Sequence, residues 1–324
     1  MVELGVTLFQ ASPDWIVWLN REGILKGKSR INSQRSFDWL KSQERLLATF
    51  KEKPLFTKLT ASSLANRVVL FRPDGSLYGL GDNSDGELGI SVINHRALPI
   101  FPGQRFFDPT VVSARLTYGV LGVKDVALGQ SHSIAILEDG ALCTWGSNVV
   151  GQLGDGRSPD EDRRLIPWKV AGLPAICATA AGAGHSLALA CRDRTVWAWG
   201  WNKYGQLGDG TLIDRSQPQM VEGLPPINAL AVGFSHTLAL SNDGKVWSWG
   251  ENTHWQLGRP TGQLPFARIP APIQGLPFIT KIFATAYLSV AVDKKGKVWL
   301  WGEDSGSATP WVPRPLVSTH GIKE

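Results

Sequence analysis

A unit recurring at an interval of 52 residues dominates this chain and limits what it can fold into. Its fullest copy starts at Gly233-Phe234-Ser235-His236-Thr237-Leu238-Ala239-Leu240, passes Asn242-Asp243-Gly244, and ends at Val246-Trp247-Ser248-Trp249-Gly250. Asp-Gly between two alternating apolar runs is a strong hairpin signal. Trp247 and Trp249 are two apart, so both lie on one face of the second strand. Copies recur from Gly182 to Gly200, from Gly129 to Gly146, from Val290 to Gly302 and from Val68 to Gly81. The histidine place is read as His132, His185, His236, Arg67 and Tyr287. A degenerate copy runs from Ile16 to Leu25. The hairpin glycines Gly23, Gly75, Gly140, Gly244 and Gly296 are separated by 52, 65, 104 and 52 residues. That is an array of equal units with one insertion.

Composition agrees with such an array. Among 324 residues, 35 are Gly and 14 are Trp, which suits short turns around bulky packed side chains. Apolar residues make up 43%, enough for a sizeable core, and exclude a disordered chain. No apolar run is long enough for a membrane span, and no secretory signal is read at Met1-Val2-Glu3-Leu4-Gly5. A cytoplasmic or nuclear location is expected. Cys143, Cys177 and Cys191 show no metal or disulfide spacing and are read as reduced apolar residues.

A second signature follows Trp145-Gly146, Trp199-Gly200 and Trp249-Gly250, and also Leu80-Gly81. It reads Asn148-Val149-Val150-Gly151-Gln152-Leu153-Gly154-Asp155-Gly156, and recurs from Asn202 to Gly210, from Asn252 to Gly258 and from Asn83 to Gly89. Together the three motifs resemble the regulator of chromosome condensation repeat, clearly over 57–303 and weakly over 1–56. The resemblance implies an all-β, single β-propeller of four-stranded blades over 1–324. Six blades are expected, with seven as the alternative. The tail 304–324, through Pro310-Trp311-Val312-Pro313-Arg314-Pro315, is expected to close the ring as a strand on the N-terminal blade.

Catalytic motifs are not found in the sequence: no G-x-S-x-G, no Walker loop and no H-E-x-x-H. The expectation is therefore a non-enzyme with no cofactor and no metal. The repeated histidines are read as structural, because other residue types take their place. Asp155 and Asp209 are read as turn residues bonding backbone amides. Three features depart from the repeat, and departures are where function is sought. The turn residues Trp201, Tyr204, His254 and Trp255 form a candidate partner-binding cluster, and Trp255 replaces a glycine, so its turn is expected to differ. The insertion within 90–124 carries Arg96, Arg105 and Phe106. The segment 21–58 holds ten Lys/Arg, among them Lys26, Lys28, Arg30, Arg35, Lys41 and Arg45, against four acids. It is a candidate for an acidic partner.

A monomeric, non-catalytic protein–protein interaction propeller is the expected function. Guanine-nucleotide exchange on a small GTPase, with the insertion as wedge, is the alternative that the resemblance implies. Chromatin or nucleic-acid binding through 21–58 is a third reading, and no membrane partner is expected. Some similar propellers sense ultraviolet-B light through Trp in the G-x-x-H motif. Here those positions are Gln130-Ser131, Ala183-Gly184 and Phe234-Ser235, so photoreception is not expected.

Overall fold

Alternating strands and tight turns need partners on both faces, and the chain supplies them by stacking sheets. The computed structural model describes residues 6–11, 15–20, 25–29, 56–65, 67–73, 75–81, 83–89, 122–157, 163–303 and 312–316. The first sheet is β1 (Val6–Ala11), β2 (Trp15–Asn20) and β3 (Leu25–Ser29), and the second is β4 (Lys58–Ala61), β5 (Arg67–Phe71) and β6 (Leu77–Gly81). The third is β7 (Val123–Leu128), β8 (His132–Leu137), β9 (Leu142–Ser147) and β10 (Arg163–Lys169). The fourth is β11 (Ile176–Ala181), β12 (His185–Ala190), β13 (Val196–Gly200) and β14 (Arg215–Met220). The fifth is β15 (Ile227–Val232), β16 (His236–Ser241), β17 (Val246–Glu251) and β18 (Phe266–Pro272). The last is β19 (Ile279–Ala284), β20 (Leu288–Asp293), β21 (Val298–Gly302) and β22 (Arg314–Pro315).

Every sheet is an antiparallel meander in chain order. The first strands of successive sheets touch one another: β1 meets β4, β4 meets β7, β7 meets β11, β11 meets β15, and β15 meets β19. This is the radial stacking of a β-propeller. Fourth strands are edges, and β10, β14 and β18 carry Pro167, Pro218 and Pro270 near their middles. Proline withholds a backbone donor, which makes those edges poor templates for a further strand.

The second signature is the joint between sheets. Trp145, Trp199, Trp249 and Trp301 are fully buried. The indole of Trp199 donates to the Gln152 carbonyl of the preceding sheet at 2.9 Å, and Trp249 and Trp301 repeat this to Gln206 and Gln256. Asn148 Oδ1 accepts from the Leu153 amide at 3.1 Å and Gln152 Oε1 from the Val150 amide at 3.0 Å, so the turn is held by its own side chains. Leu153 enters the core. Gly154 must be glycine: its φ is +70°, and an added Cβ would stand 2.7 Å from Trp199 Nε1. Asn, Gln, Leu and Gly therefore each have a separate mechanical task in the motif.

Three expectations are corrected here. Six or seven four-stranded blades are not found. Among the described residues four sheets have four strands, and the two N-terminal sheets have three. Among the described residues the C-terminal segment, 312–316, joins the last sheet and not the N-terminal one, because β22 pairs with β21, Trp299 against Pro315 and Leu300 against Arg314. Its sequence resembles Ser216-Gln217-Pro218, and that segment is itself the fourth strand of its own sheet. Finally, Leu288, not Tyr287, occupies the histidine place. Leu288 pairs with Gly302 as His236 pairs with Gly250 and Arg67 with Gly81.

Candidate functional site

The turns between first and second strands emerge at the same end of neighbouring sheets as the turns after Trp-Gly. Their variable positions hold aromatic residues in three successive sheets, and the rings meet. Tyr204 lies edge-on to Trp201, centroids 5.6 Å apart, and Trp201 lies edge-on to Phe234 at 6.5 Å. Phe234 reaches Tyr287 at 6.1 Å, and Tyr287 stacks on His254 at 4.3 Å. All five are partly exposed. Such pairs favour edge-to-face or offset geometry, which holds the row rigid.

The row has a charged border. His254 Nε2 is 3.5 Å from Glu303 Oε2. Burial pushes the Tyr287 phenol above its ordinary range, and Glu251 and Glu303 add to this. Lys203 stands over the Tyr204 ring at 5.7 Å, at the other end. The acidic border is therefore on the Tyr287 side.

Of the residues singled out in the sequence, Trp201, Tyr204 and His254 fall in this row. Trp255 lies outside it and is 42% exposed. Its turn does not differ from its relatives, contrary to expectation. Trp255 takes φ +63°, as Gly151 and Gly205 take +77° and +74°, and its amide bonds the Asn252 carbonyl at 3.1 Å as theirs bond Asn148 and Asn202. Phe234 and Tyr287 were missed as members. They stand in the variable positions of the G-x-x-H turn, and only cross-sheet neighbourhood reveals them. Arg96, Arg105 and Phe106 lie outside the described residues, as do Arg30, Arg35, Lys41 and Arg45. Lys26 and Lys28 are in β3.

The buried histidines link sheets and are not poised as bases. His132 Nε2 lies 2.9 Å from Ser186 Oγ, and Ser186 Oγ gives its one proton to the Gln152 carbonyl at 2.7 Å. The imidazole must therefore donate through Nε2–H, which leaves Nδ1 bare. The same accounting applies to His236, Ser289 and Gln256, and to His185, Thr237 and Gln206. Burial lowers all three histidines to about 3, with Arg67 and then His185 adding to the effect at His132, and His185 at His236. Asp209 Oδ1 accepts from the Thr211 amide at 2.9 Å, and its Oδ2 from Arg215 Nε at 2.9 Å, which is a turn-bracing arrangement.

The description of one protein family, the RCC1-like domain, matches residues 20–309. This chain belongs to the RCC1-like domain family. Over 186 residues it is 34% identical to the ultraviolet-B receptor UVR8 of Arabidopsis thaliana, a match covering 56% of this chain and 41% of the receptor. Over 195 residues it is 32% identical to the mouse E3 ubiquitin-protein ligase HERC2, covering 58% of this chain and 4% of the ligase. The chain thus spans less than half the length of these curated relatives. Among solved structures it is similar to human WBSCR16, with TM-score 0.77, 17% identity and coverage of 98% of this chain and 83% of the other. It is also similar to Prp20p of Saccharomyces cerevisiae, with TM-score 0.71, 21% identity and coverage of 98% and 78%. At these identities the likeness speaks to fold alone. Among the described residues no helix is long and apolar enough to cross a membrane.

Proposed function

We propose that this RCC1-like propeller is a non-catalytic interaction module that seats a protein segment across its aromatic row. The observation that carries the reading is the continuous row Tyr204–Trp201–Phe234–Tyr287–His254, supplied by three successive sheets and partly exposed along its length. Aromatic side chains held rigid at a surface are the residues that dominate binding energy when a partner covers them. Glu251 and Glu303 beside Tyr287 favour a partner offering Lys or Arg to the ring faces. Immobilised chain should capture its partner from cell extract, and the double variant Trp201→Ala, Phe234→Ala should weaken that capture at least about tenfold. Both side chains are only partly exposed, so a modest drop of the unfolding midpoint is expected and is measured beside the capture. Capture of the same partner at undiminished affinity would overturn the reading.

A second reading is guanine-nucleotide exchange on a small GTPase through the 90–124 insertion. Its support is the shared fold with Prp20p, whose structure was reported with its binding to Gsp1p and histones. If it holds, the chain accelerates nucleotide release from one member of a GTPase panel, and trimming 90–124 to the repeat length abolishes this. Retention on DNA that weakens steeply with salt would instead point to the basic segment 21–58.

A further inference from the structure

Two of the three cysteines occupy positions that are polar in the other four-stranded sheets. Cys177 is the extra residue of a β-bulge in β11, between Ile176 and Ala178, which pair with Ala190 and Leu189 of β12. Cys191 follows β12, and its amide donates to the Ala175 carbonyl at 2.9 Å. Cys177 and Cys191 are therefore diagonal neighbours across two paired strands, on the same face. The corresponding diagonals in other sheets are Lys124 with Glu138, Asn228 with Asn242, and Thr280 with Lys294. All six of those residues are polar and exposed. Packing does not explain the exposed Cys191, while Cys177 lies partly against the apolar cluster of the fourth and fifth sheets. Cys191 is exposed and Cys177 half-buried, whereas Cys143 is in the core.

A cation stands beside one of the two sulfurs. Arg194 Nη1 lies 3.4 Å from Cys177 Sγ. Arg194 holds the hairpin position that glycine takes elsewhere, at φ +60°. A non-glycine residue in that region is strained, and this one carries a cation that stands beside a sulfur. Burial and the adjacent Cys177 push the Cys191 thiol upward, with Lys124 and Arg194 opposing.

We propose that Cys177 and Cys191 are a reversible dithiol–disulfide pair, oxidised by a low-molecular-weight disulfide such as oxidised glutathione. The Cys191 thiolate attacks one sulfur of the oxidant, and a glutathione thiolate leaves. The Cys177 thiolate, its negative charge met by Arg194, then attacks the Cys191 sulfur and expels the second glutathione. Two protein thiols become one disulfide, and one oxidised glutathione becomes two reduced ones. Diagonal cross-strand positions lie about 7–8 Å apart and a disulfide needs Cα atoms about 4.4–6.8 Å apart, so bridging draws the two strands together at the bulge.

The full chain is incubated with mixtures of oxidised and reduced glutathione under native conditions, alkylated, and followed by intact mass and peptide mapping. Expected is a loss of two hydrogens, a Cys177–Cys191 linked peptide, an unmodified Cys143 and reversal by dithiothreitol. Cys177→Ser is expected to stop at a stable glutathione adduct on Cys191. Arg194→Gly, which removes the cation and relaxes the backbone, is expected to slow resolution of that adduct severalfold in the otherwise native chain. The pair would be refuted by adducts on both cysteines without a bridge, or by persistence of both free thiols in the most oxidising mixture.

Discussion

Acidifying the folded chain from about pH 7 to about pH 5 is expected to remove several kcal/mol of stability, before most carboxylates titrate. The cause is the set of buried histidines. An unfolded histidine titrates near 6.5, whereas His132, His185 and His236 are lowered to about 3 in the fold. A group with a depressed folded pKa contributes stability that is present above its unfolded pKa. That stability is lost progressively as pH falls toward the folded value. Each histidine adds a slope of order 1 kcal/mol per pH unit in this window, and the three together about three times that. Proton accounting gives the structural reason. Each Nε2–H already donates to a hydroxyl, and Nδ1 of each has no hydrogen-bond partner, so the second proton would enter the core without an acceptor. Guanidinium unfolding at pH 7, 6 and 5 measures the slope. The variant His236→Leu copies Leu288 of the last sheet and should reduce the slope by about a third. Stability that is level between pH 7 and pH 5 would contradict the assignment.

Much of the joint between sheets is legible in the sequence, because it is built from local motifs. Asn, Gln, Leu and Gly keep fixed spacing when each serves a bond within the same turn or to the next tryptophan. Register is less legible. Ala284-Thr285-Ala286-Tyr287-Leu288 lacks both the glycine and the histidine, and a slip of one residue placed Tyr287 where Leu288 belongs. Side-chain direction alternates along a strand, so that single slip hid a member of the aromatic row. Phe234 was hidden differently. It stands in a position that looks variable along the chain and gains meaning only beside Trp201 and Tyr287. The boundary between sheets was misjudged because a repeat has no natural starting point in sequence. The fourth strand can be assigned forward or backward, and the pairing of β22 with β21 assigns it backward. Trp255 shows the opposite case, in which the sequence argued for a different turn and the backbone kept the same one.

Removing either charge of the Arg67–Glu87 pair alone is expected to destabilise the chain by about 3–5 kcal/mol, and removing both far less. Arg67 is fully buried in the histidine place, and Glu87 is buried in the place held by Gln152, Gln206 and Gln256. Their charged atoms are 3.2 Å apart, and Arg67 Nη2 also donates to the Gly129 carbonyl at 2.6 Å. Burial pushes the Glu87 carboxyl above its usual range although Arg67 pulls it down, so the carboxylate depends on its partner. Arg67→Ala leaves that carboxylate buried without the Arg67 cation, and Glu87→Gln removes the carboxylate that Arg67 Nη1 meets at 3.2 Å. The double variant Arg67→His, Glu87→Gln rebuilds what the other joints use. A histidine there can donate to Ser133 Oγ, whose own proton already goes to the residue-87 carbonyl at 2.7 Å, as His132 donates to Ser186. Neutral groups that satisfy each other avoid most of the desolvation cost of a buried ion pair. The double variant is therefore expected within about 1–2 kcal/mol of the parent by denaturant unfolding at neutral pH. If instead the two single losses simply add, the pair is not a compensating unit, and the charges serve this sheet separately.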